Sequence, residues 1–165
     1  MSFYRDLLGI FFALALLSVS CSTGPAAYKE DTAIAIWDLE DWTPGVSIHP
    51  NFGEILSAKV IETLKEIGEH TVVERERLVL ALEELNLGTT SLVDESTRLQ
   101  IGRIVQAQLM VFGGYQVIAD HMRLDLRLVE VQTGKILKAA KQITSGTDMS
   151  SWLKAAAEAA AELFQ

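Results

Sequence analysis

The sequence predicts an α/β fold in which helices pack on a mixed sheet. Short apolar segments typical of strands alternate with longer segments of helical periodicity over the first part of the chain. Further along, apolar and charged residues alternate, and another strand-like segment follows across a glycine turn. The predicted order of elements is β-α-β-α-α-β-β-β-α.

The first three elements follow from apolar spacing. Residues 32–39 are apolar and rich in branched side chains, which predicts a buried strand. From Asn51, apolar residues recur at steps of three and four, which predicts a helix that Gly68 ends. The apolar positions of this helix are Phe52, Ile55, Leu56, Val60, Leu64 and Ile67. After the helix, residues 71–73 predict a second short strand.

Two further helices and a long strand follow. Leucines 78, 82 and 85 mark a helix that ends near Gly88. Asp94 is a favourable N-cap for a third helix that continues to about Ala107. Residues 109–118 are strand-like, and the glycines 113 and 114 within them predict a bulge or a close approach of another backbone.

A clear strand signal lies at residues 122–128, where leucines and Met122 alternate with charged residues. The apolar phase slips at residues 128–129, which predicts a bulge there. Residues 132–134 suit a three-residue hairpin loop with Gly134 in the left-handed conformation, and the return strand begins at Ile136. A final helix presents an apolar stripe of Trp152, Ala156, Ala160 and Leu163.

The N-terminal region has the pattern of a secretion signal. Residues 7–17 are apolar but too short to span a bilayer, which requires roughly 20 residues. A small-x-small triplet, Ser18 to Ser20, precedes Cys21, the single cysteine of the chain. One cysteine cannot form an internal disulfide or a CxxC metal pair. We therefore predict a signal peptide at residues 1–20 and a mature chain that begins at Cys21.

This junction resembles the lipobox of bacterial lipoproteins, which implies that Cys21 is lipidated. It departs from that pattern in having Ser18 three positions before the cysteine, with Leu17 displaced by one, and in having only Arg5 as a basic residue near the start. Ser22 stands where an inner-membrane retention signal would favour aspartate, so the resemblance implies outer-membrane delivery. The alternative is ordinary secretion with a free N-terminal cysteine.

The mature chain is predicted to hold one domain. Residues 21–31 are mostly small and polar and are predicted to be a short tether, and residues 32–165 form the α/β domain. The net charge of −8 argues against nucleic acid as a partner. The densest cationic stretch, residues 135–141, is spread along a predicted strand.

The sequence predicts no catalytic, cofactor-binding or metal site, and therefore no enzyme. The histidines at 49, 70 and 121 lack the i, i+4 partner of a helical metal site. Asp120 and His121 are adjacent in a predicted turn and are expected to point apart. Glu83 and Glu84 lie side by side and are interpreted as a solvated helix face.

Two stretches resemble the periplasmic domain of the curli-secretion-channel family, the CsgG-like lipoproteins. They are VVERERLVLALEELNL at residues 72–87 and LDLRLVEVQTGKIL at residues 124–137, with TAIAIWDLED before them and AQLMVFGGYQV between them. The resemblance covers residues 32–143. Each of these sequence features also has a purely structural explanation, such as Glu74 and Arg75 as the start of a helix.

The departures from this family limit what the resemblance implies. Pore-forming members insert long hairpins at two sites, one corresponding to residues 118–122 and one after the strand that follows Gly134. This chain has a tight connection at the first site and about a dozen residues at the second, too few for a membrane hairpin of two strands of roughly 10 residues each. We therefore expect a short member that lacks the transmembrane hairpins. Asn51 and Phe52, which correspond to the constriction loop of pore-formers, are better interpreted as helix cap and core.

The expected function is that of a lipid-anchored protein on the periplasmic face of the outer membrane, acting as an accessory or assembly module in secretion or envelope biogenesis. The alternative is a regulatory binding lipoprotein resembling the activators of penicillin-binding proteins, although a tether of about ten residues is short for that role. Expected partners are the membrane, through the anchor, and envelope or secretion proteins. Self-association is expected to be weak at most.

Overall fold

A mixed sheet with helices on both faces makes up the computed structural model, which describes residues 31–45, 51–85, 94–145 and 148–165. The described strands are β1 (Ala33–Ile36), β2 (Glu40–Asp41), β3 (Thr71–Val72), β4 (Leu109–Ile118), β5 (His121–Glu130) and β6 (Ile136–Ser145). The described helices are α1 (Phe52–Ile67), α2 (Arg75–Glu84), α3 (Glu95–Ile104) and α4 (Met149–Phe164). The predicted α/β fold class and order are confirmed, apart from the short strand β2.

The strands lie in the order β3-β1-β4-β5-β6, and β2 pairs with the second half of β4. Strand β1 is parallel to both β3 and β4, whereas β4, β5 and β6 form antiparallel hairpins. Only two residues, Ala119 and Asp120, connect β4 to β5. The hairpin end of the sheet is therefore built from segments that are close in sequence, and the parallel end from segments that are far apart.

The predicted first strand is divided in the structure. Strand β1 ends at Ile36, and pairing resumes only at Glu40, opposite Gly114. Between them, the backbone N–H of Leu39 donates to Ser57 Oγ of α1 at 2.9 Å. The chain leaves the sheet there because Leu39 is buried against α1, a tertiary contact that the apolar run does not indicate.

Each face of the sheet has its own hydrophobic core. Helices α1 and α4 cover one face, where Phe52 packs against both Tyr115 and Trp152 at ring-centroid distances of 5.0 Å. Helices α2 and α3 cover the other face, next to β1 and the first half of β4. The predicted stripe of α4 is buried in the first core, as Trp152, Ala156, Ala160 and Leu163.

The predicted bulge is present, but it has a different cause. The β5–β6 register shifts between Leu128 and Val129, and the extra residue is Leu137 on β6. On β5 the side chains alternate without interruption, with Leu128 in the first core and Val129 in the second. Both residues are apolar because helices α2 and α3 cover the second face of the sheet from Val129 onward, so side chains on both faces are buried there.

Several predicted helix and turn signals are confirmed. Gly68 closes α1 in the left-handed conformation with φ 73°. Asp94 caps α3 by accepting the backbone N–H of Thr97 at 2.9 Å. Gly134 is left-handed with φ 72°, although its turn spans four residues because the Glu130 N–H donates to the Lys135 carbonyl.

Two predicted boundaries differ. Helix α2 ends at Glu84 and helix α3 at Ile104, earlier than the expected ends near Gly88 and Ala107, and Gly88 lies outside the described residues. The predicted roles of Asn51 and Phe52 are confirmed, since Phe52 is a core residue and Asn51 is the N-cap residue of α1, although Asn51 is left-handed and makes no side-chain capping bond.

Candidate docking surface

One half of the sheet's second face is not covered by a helix in the part of the chain that the structure describes. Helices α2 and α3 lie beside β1, so the second half of β4 and its neighbours on β5 and β6 are left without a covering layer. We call this surface the open face. It borders a depression of about 640 Å³ and comprises Trp42, Gln116, Arg123, Asp125, Arg127, Ala139 and Lys141.

Trp42 is fixed on the open face by the glycine beneath it. A Cβ atom at Gly114 would lie 2.4 Å from the indole ring, so only glycine leaves room for the ring to rest on the strand. The Trp42 backbone N–H donates to the Tyr115 carbonyl at 2.7 Å, and its indole N–H donates to Glu40 Oε2 at 3.0 Å. The side chain is nevertheless 41% exposed, so a partner would meet an aromatic surface that is already ordered.

A buried cation holds the other side of Glu40. The guanidinium of Arg98, on α3, forms an ion pair with the Glu40 carboxylate and lies 5.5 Å from the centre of the Trp37 ring. Burial acts to raise the pKa of Glu40, but hydrogen bonds from Trp42 and Arg98 outweigh it and the pKa lies below its ordinary value. Glu40 therefore links the exposed tryptophan to the buried arginine.

This linkage predicts a pH-dependent effect of Glu40→Gln. A carboxyl whose pKa is lowered on folding stabilises the protein above its ordinary pKa of 4.5 and loses that contribution as pH falls through the folded value. The variant should be clearly less stable than the wild type near neutral pH, and the difference should shrink below about pH 4.5. Urea unfolding at a series of pH values measures this. Glu83→Gln, at an exposed helix position, is the matched control, and a difference independent of pH would contradict the assignment.

The cations of the open face are only partly neutralised. Both terminal oxygens of Asp125 accept hydrogen bonds from Arg123, each at 2.7 Å. Arg127 lies 3.7 Å from Glu95, a longer and weaker contact. Lys141 is directly opposite Asp125 in the β5–β6 register, but that carboxylate is already bound by Arg123.

A second polar cluster lies at the carboxyl ends of β1 and β3. Arg75 donates two hydrogen bonds to Asp38, at 3.0 and 2.7 Å, and lies 3.5 Å from Glu54. The adjacent Glu74 pairs with Lys65 at 2.9 Å. These bonds tie the start of α2 to β1 and α1, which supports the structural interpretation of Glu74 and Arg75.

One prediction about the histidines is wrong. His121 Nδ1 lies 2.8 Å from Asp120 Oδ1, because the tight turn brings the two neighbouring side chains together instead of apart. Both are exposed at the start of β5. His70 lies at the junction of α1 and β3, and its ring packs 5.1 Å from that of Phe164. His49 lies outside the described residues.

No metal-type cluster of three or more histidine, cysteine or acidic side chains occurs within residues 31–45, 51–85, 94–145 and 148–165. Glu83 and Glu84 are exposed, as predicted for a solvated helix face. Gly113 is a site of close approach, since its Cβ would lie 2.2 Å from the Asp125 carbonyl oxygen. The prediction of a close approach at the paired glycines is therefore confirmed at both positions.

The open face was not predicted from the sequence. Nothing in the local pattern linked Glu40 and Trp42 to Arg98, which lies far along the chain from both. The one available signal was the pair of glycines in β4, since a glycine in a strand leaves space for a large neighbour. The predicted signal peptide, Cys21 and most of the predicted tether lie outside the described residues. No helix in the described ranges is long and apolar enough to cross a membrane.

The described residues form a three-layer α/β domain, in which a mixed sheet lies between two layers of helices and leaves a polar open face. This architecture gives the structural class of the protein, and comparison of its sequence with models of protein families gives the family. The family model described as "Curli production assembly/transport component CsgG" matches residues 17–119. Because this match spans more than half of the chain, the protein belongs to the CsgG family. No curated protein sequence matches the chain.

Solved structures with a similar fold include several bacterial proteins. The C-terminal domain of LpoB from Salmonella enterica is 23% identical, covering 73% of this chain and 87% of that chain, with a TM-score of 0.63. Lipoprotein GNA1162 from Neisseria meningitidis is 13% identical, covering 79% and 94%, with a TM-score of 0.55. PelC from Paraburkholderia phytofirmans, solved as a dodecamer, is 14% identical, covering 86% and 90%, with a TM-score of 0.51. At these identities the similarity establishes the fold.

Proposed function

We propose that this protein is an outer-membrane-anchored periplasmic lipoprotein that serves as a non-enzymatic accessory or assembly module in secretion or envelope biogenesis. The observation that carries the proposal is the open face, where an exposed tryptophan is held in place beside arginines. Aromatic residues and arginine are the residue types that dominate binding at protein interfaces. Membership of a family described as an assembly and transport component agrees with this role.

The arrangement of polar groups favours docking over catalysis. Arg123 binds Asp125, and Arg98 binds Glu40, so these charges are paired with one another along the sheet. An ordered surface of this kind lowers the entropy cost of association, because its side chains are already fixed before a partner arrives.

The proposed anchor determines where docking occurs. Lipidation of Cys21 would add acyl chains that hold the protein stably at the membrane. A tether of about ten residues reaches at most about 35 Å when fully extended. The partner is therefore an envelope or secretion protein that lies close to the outer membrane.

A photo-crosslinking experiment tests the docking role. A photoreactive amino acid such as p-benzoylphenylalanine replaces Gln116 on the open face, or Glu66 on the exposed side of α1 as the matched control, in the native bacterium. We expect position 116 to crosslink an envelope or secretion protein and position 66 not to do so. Identical products from both positions, or none from position 116, would contradict the proposal.

The alternative function is regulation of a penicillin-binding protein by docking. The similarity in fold to the LpoB C-terminal domain supports it, whereas the short predicted tether argues against a long reach through the cell wall. The same experiment separates the two functions, because a crosslinked cell-wall synthase would identify the regulator and a secretion component the assembly module.

Self-association is proposed to be weak at most. A protein of the same fold, PelC, was solved as a dodecamer, which shows that the architecture permits assembly. The net charge of −8 opposes it here, since every added copy increases electrostatic repulsion. Anchoring in a membrane would raise the local concentration and partly offset that repulsion.

A further inference from the structure

The outer edge of β6 is a long strand edge with exposed side chains. β6 is the last strand of the order β3-β1-β4-β5-β6, and it runs for ten residues. Ala140 is its only buried residue, and Ile143 is 60% exposed. An edge strand presents backbone N–H and C=O groups to which another strand can bind. This edge is therefore a geometric template for strand pairing.

The charge of this edge is opposite to that of the chain. Residues 135–145 contain three lysines and no acidic residue, whereas the whole chain carries −8. None of these three lysines forms an ion pair with a carboxylate of the described residues. Lys135 precedes β6, and Lys138 and Lys141 lie on opposite faces of it, so Lys141 is the cation that an added strand meets beyond the bulge, which favours an acidic partner.

Both faces of an added strand would have side-chain contacts. Lys141 and Ile143 lie on the open face, since they pair with Asp125 and Arg123 of β5. On the opposite face, Gln142 and Thr144 border a groove of about 190 Å³ against α4. The groove is also lined by Ser151, Lys154, Ala155 and Glu158. A strand bound to β6 would extend the sheet and place alternate side chains on the open face and in this groove.

The edge is only partly protected against strand addition. Lysines and bulges are common devices against edge pairing, and Lys138 and the bulge at Leu137 act at the start of β6. From Ala139 to Ser145 the register is continuous, so this portion has the regular geometry that pairing requires. Edge-to-edge pairing with a second copy would bring two lysine-bearing strands together, and like charges on paired strands are unfavourable.

We infer that residues 139–145 of β6 accept an extended acidic segment of a partner protein as an added strand. An acidic side chain of that segment contacts Lys141, and an apolar side chain two residues away contacts Ile143. This inference rests on the proposed docking function and specifies the chemistry of the partner: an unstructured segment with an acidic-x-apolar pattern.

A peptide binding experiment tests the inference with the mature chain. The probe is a fluorescein-labelled peptide with the repeat Glu-Thr-Val-Thr, which places glutamate and valine two residues apart on the same face of a strand, and the same peptide with lysine in place of glutamate is the control. We expect the acidic peptide to bind with a dissociation constant below about 1 mM and the basic peptide not to bind in that range. Hydrogen exchange should then show new protection at alternate backbone amides between residues 139 and 145.

Two pairs of matched variants separate this edge from general electrostatics. Lys141→Glu should weaken binding at least about tenfold, whereas Arg77→Glu, an equal charge reversal at an exposed position of α2, should change it less than about twofold. Ile143→Thr keeps a β-branched residue in the strand and should weaken binding at least about threefold. Its control is Leu80→Thr, because Leu80 is 58% exposed on α2.

Four outcomes would overturn the inference. The first two are failure of the acidic peptide to bind up to about 1 mM and binding of that peptide without new protection on β6. The other two are an equal loss of binding in Lys141→Glu and Arg77→Glu, and protection of the outer β6 amides before peptide is added. The last would mean that the chain itself or a second copy already covers the edge. Crosslinking at position 116 does not depend on these results. The proposed docking role and the proposed addition of a strand to β6 can therefore be refuted independently of each other.

Discussion

Replacement of Gly53 by alanine is expected to prevent stable folding. Gly53 lies in the first turn of α1, where an added Cβ would be 1.9 Å from the Leu39 carbonyl oxygen and 3.0 Å from the carbonyl carbon. The neighbour is backbone and cannot move aside as a flexible side chain would. The contact is also held from both sides, since Ser57 Oγ accepts from the Leu39 N–H and donates to the Gly53 carbonyl.

The expected cost is about 4 kcal/mol or more, because α1 must move away from the sheet and both its packing and the Ser57 hydrogen bonds are lost. Urea or thermal unfolding followed by circular dichroism measures it. Gly68→Ala is the matched control: its left-handed φ of 73° strains alanine, but the nearest atoms are 3.9 Å away, so a loss of only about 1 kcal/mol is expected. Equal stability of Gly53→Ala and the wild type would show that the α1–Leu39 contact is misassigned.

Cys21→Ser is expected to release the protein from the membrane. If Cys21 carries the acyl chains, no other feature of residues 21–31 is apolar enough to replace them, because this segment is mostly small and polar. The variant should lose incorporation of a fatty-acid analogue and move from the membrane fraction to the soluble periplasmic fraction. Its fold should be unchanged, since the α/β domain is predicted to begin at residue 32.

The control for this experiment is Thr23→Ser, which changes the same small, polar segment and keeps the cysteine. It should be labelled and membrane-bound like the wild type. An unlabelled, soluble wild-type protein would contradict lipidation and favour ordinary secretion with a free N-terminal cysteine.

Local signals predicted most of the elements. Asp94, Gly68 and Gly134 act through their own backbone and the next few residues, so capping and turn chemistry can be read without knowledge of the fold. The alternation at residues 122–128 likewise reports one buried face of a strand. These signals depend only on residues that are close together in the chain, so they can be recognised from a single sequence.

The features that the sequence missed depend on distant partners. Strand β2 exists because Glu40 and Asp41 pair with Gly114 and Tyr115, and no local pattern predicts that pairing. The predicted bulge was placed correctly for the wrong reason, because burial of Val129 depends on helices α2 and α3. The open face was missed for the same reason, since it is defined by which half of the sheet those helices leave exposed.

The two-sided sheet also has an evolutionary consequence. On the open face, side chains such as Gln116, Arg123 and Lys141 project from strands whose opposite side chains, including Leu124 and Leu126, hold the core. Substitutions at the outward positions alter the surface without creating a cavity in the interior. Binding specificity on this surface can therefore change over evolution while the residues that determine folding stay constant.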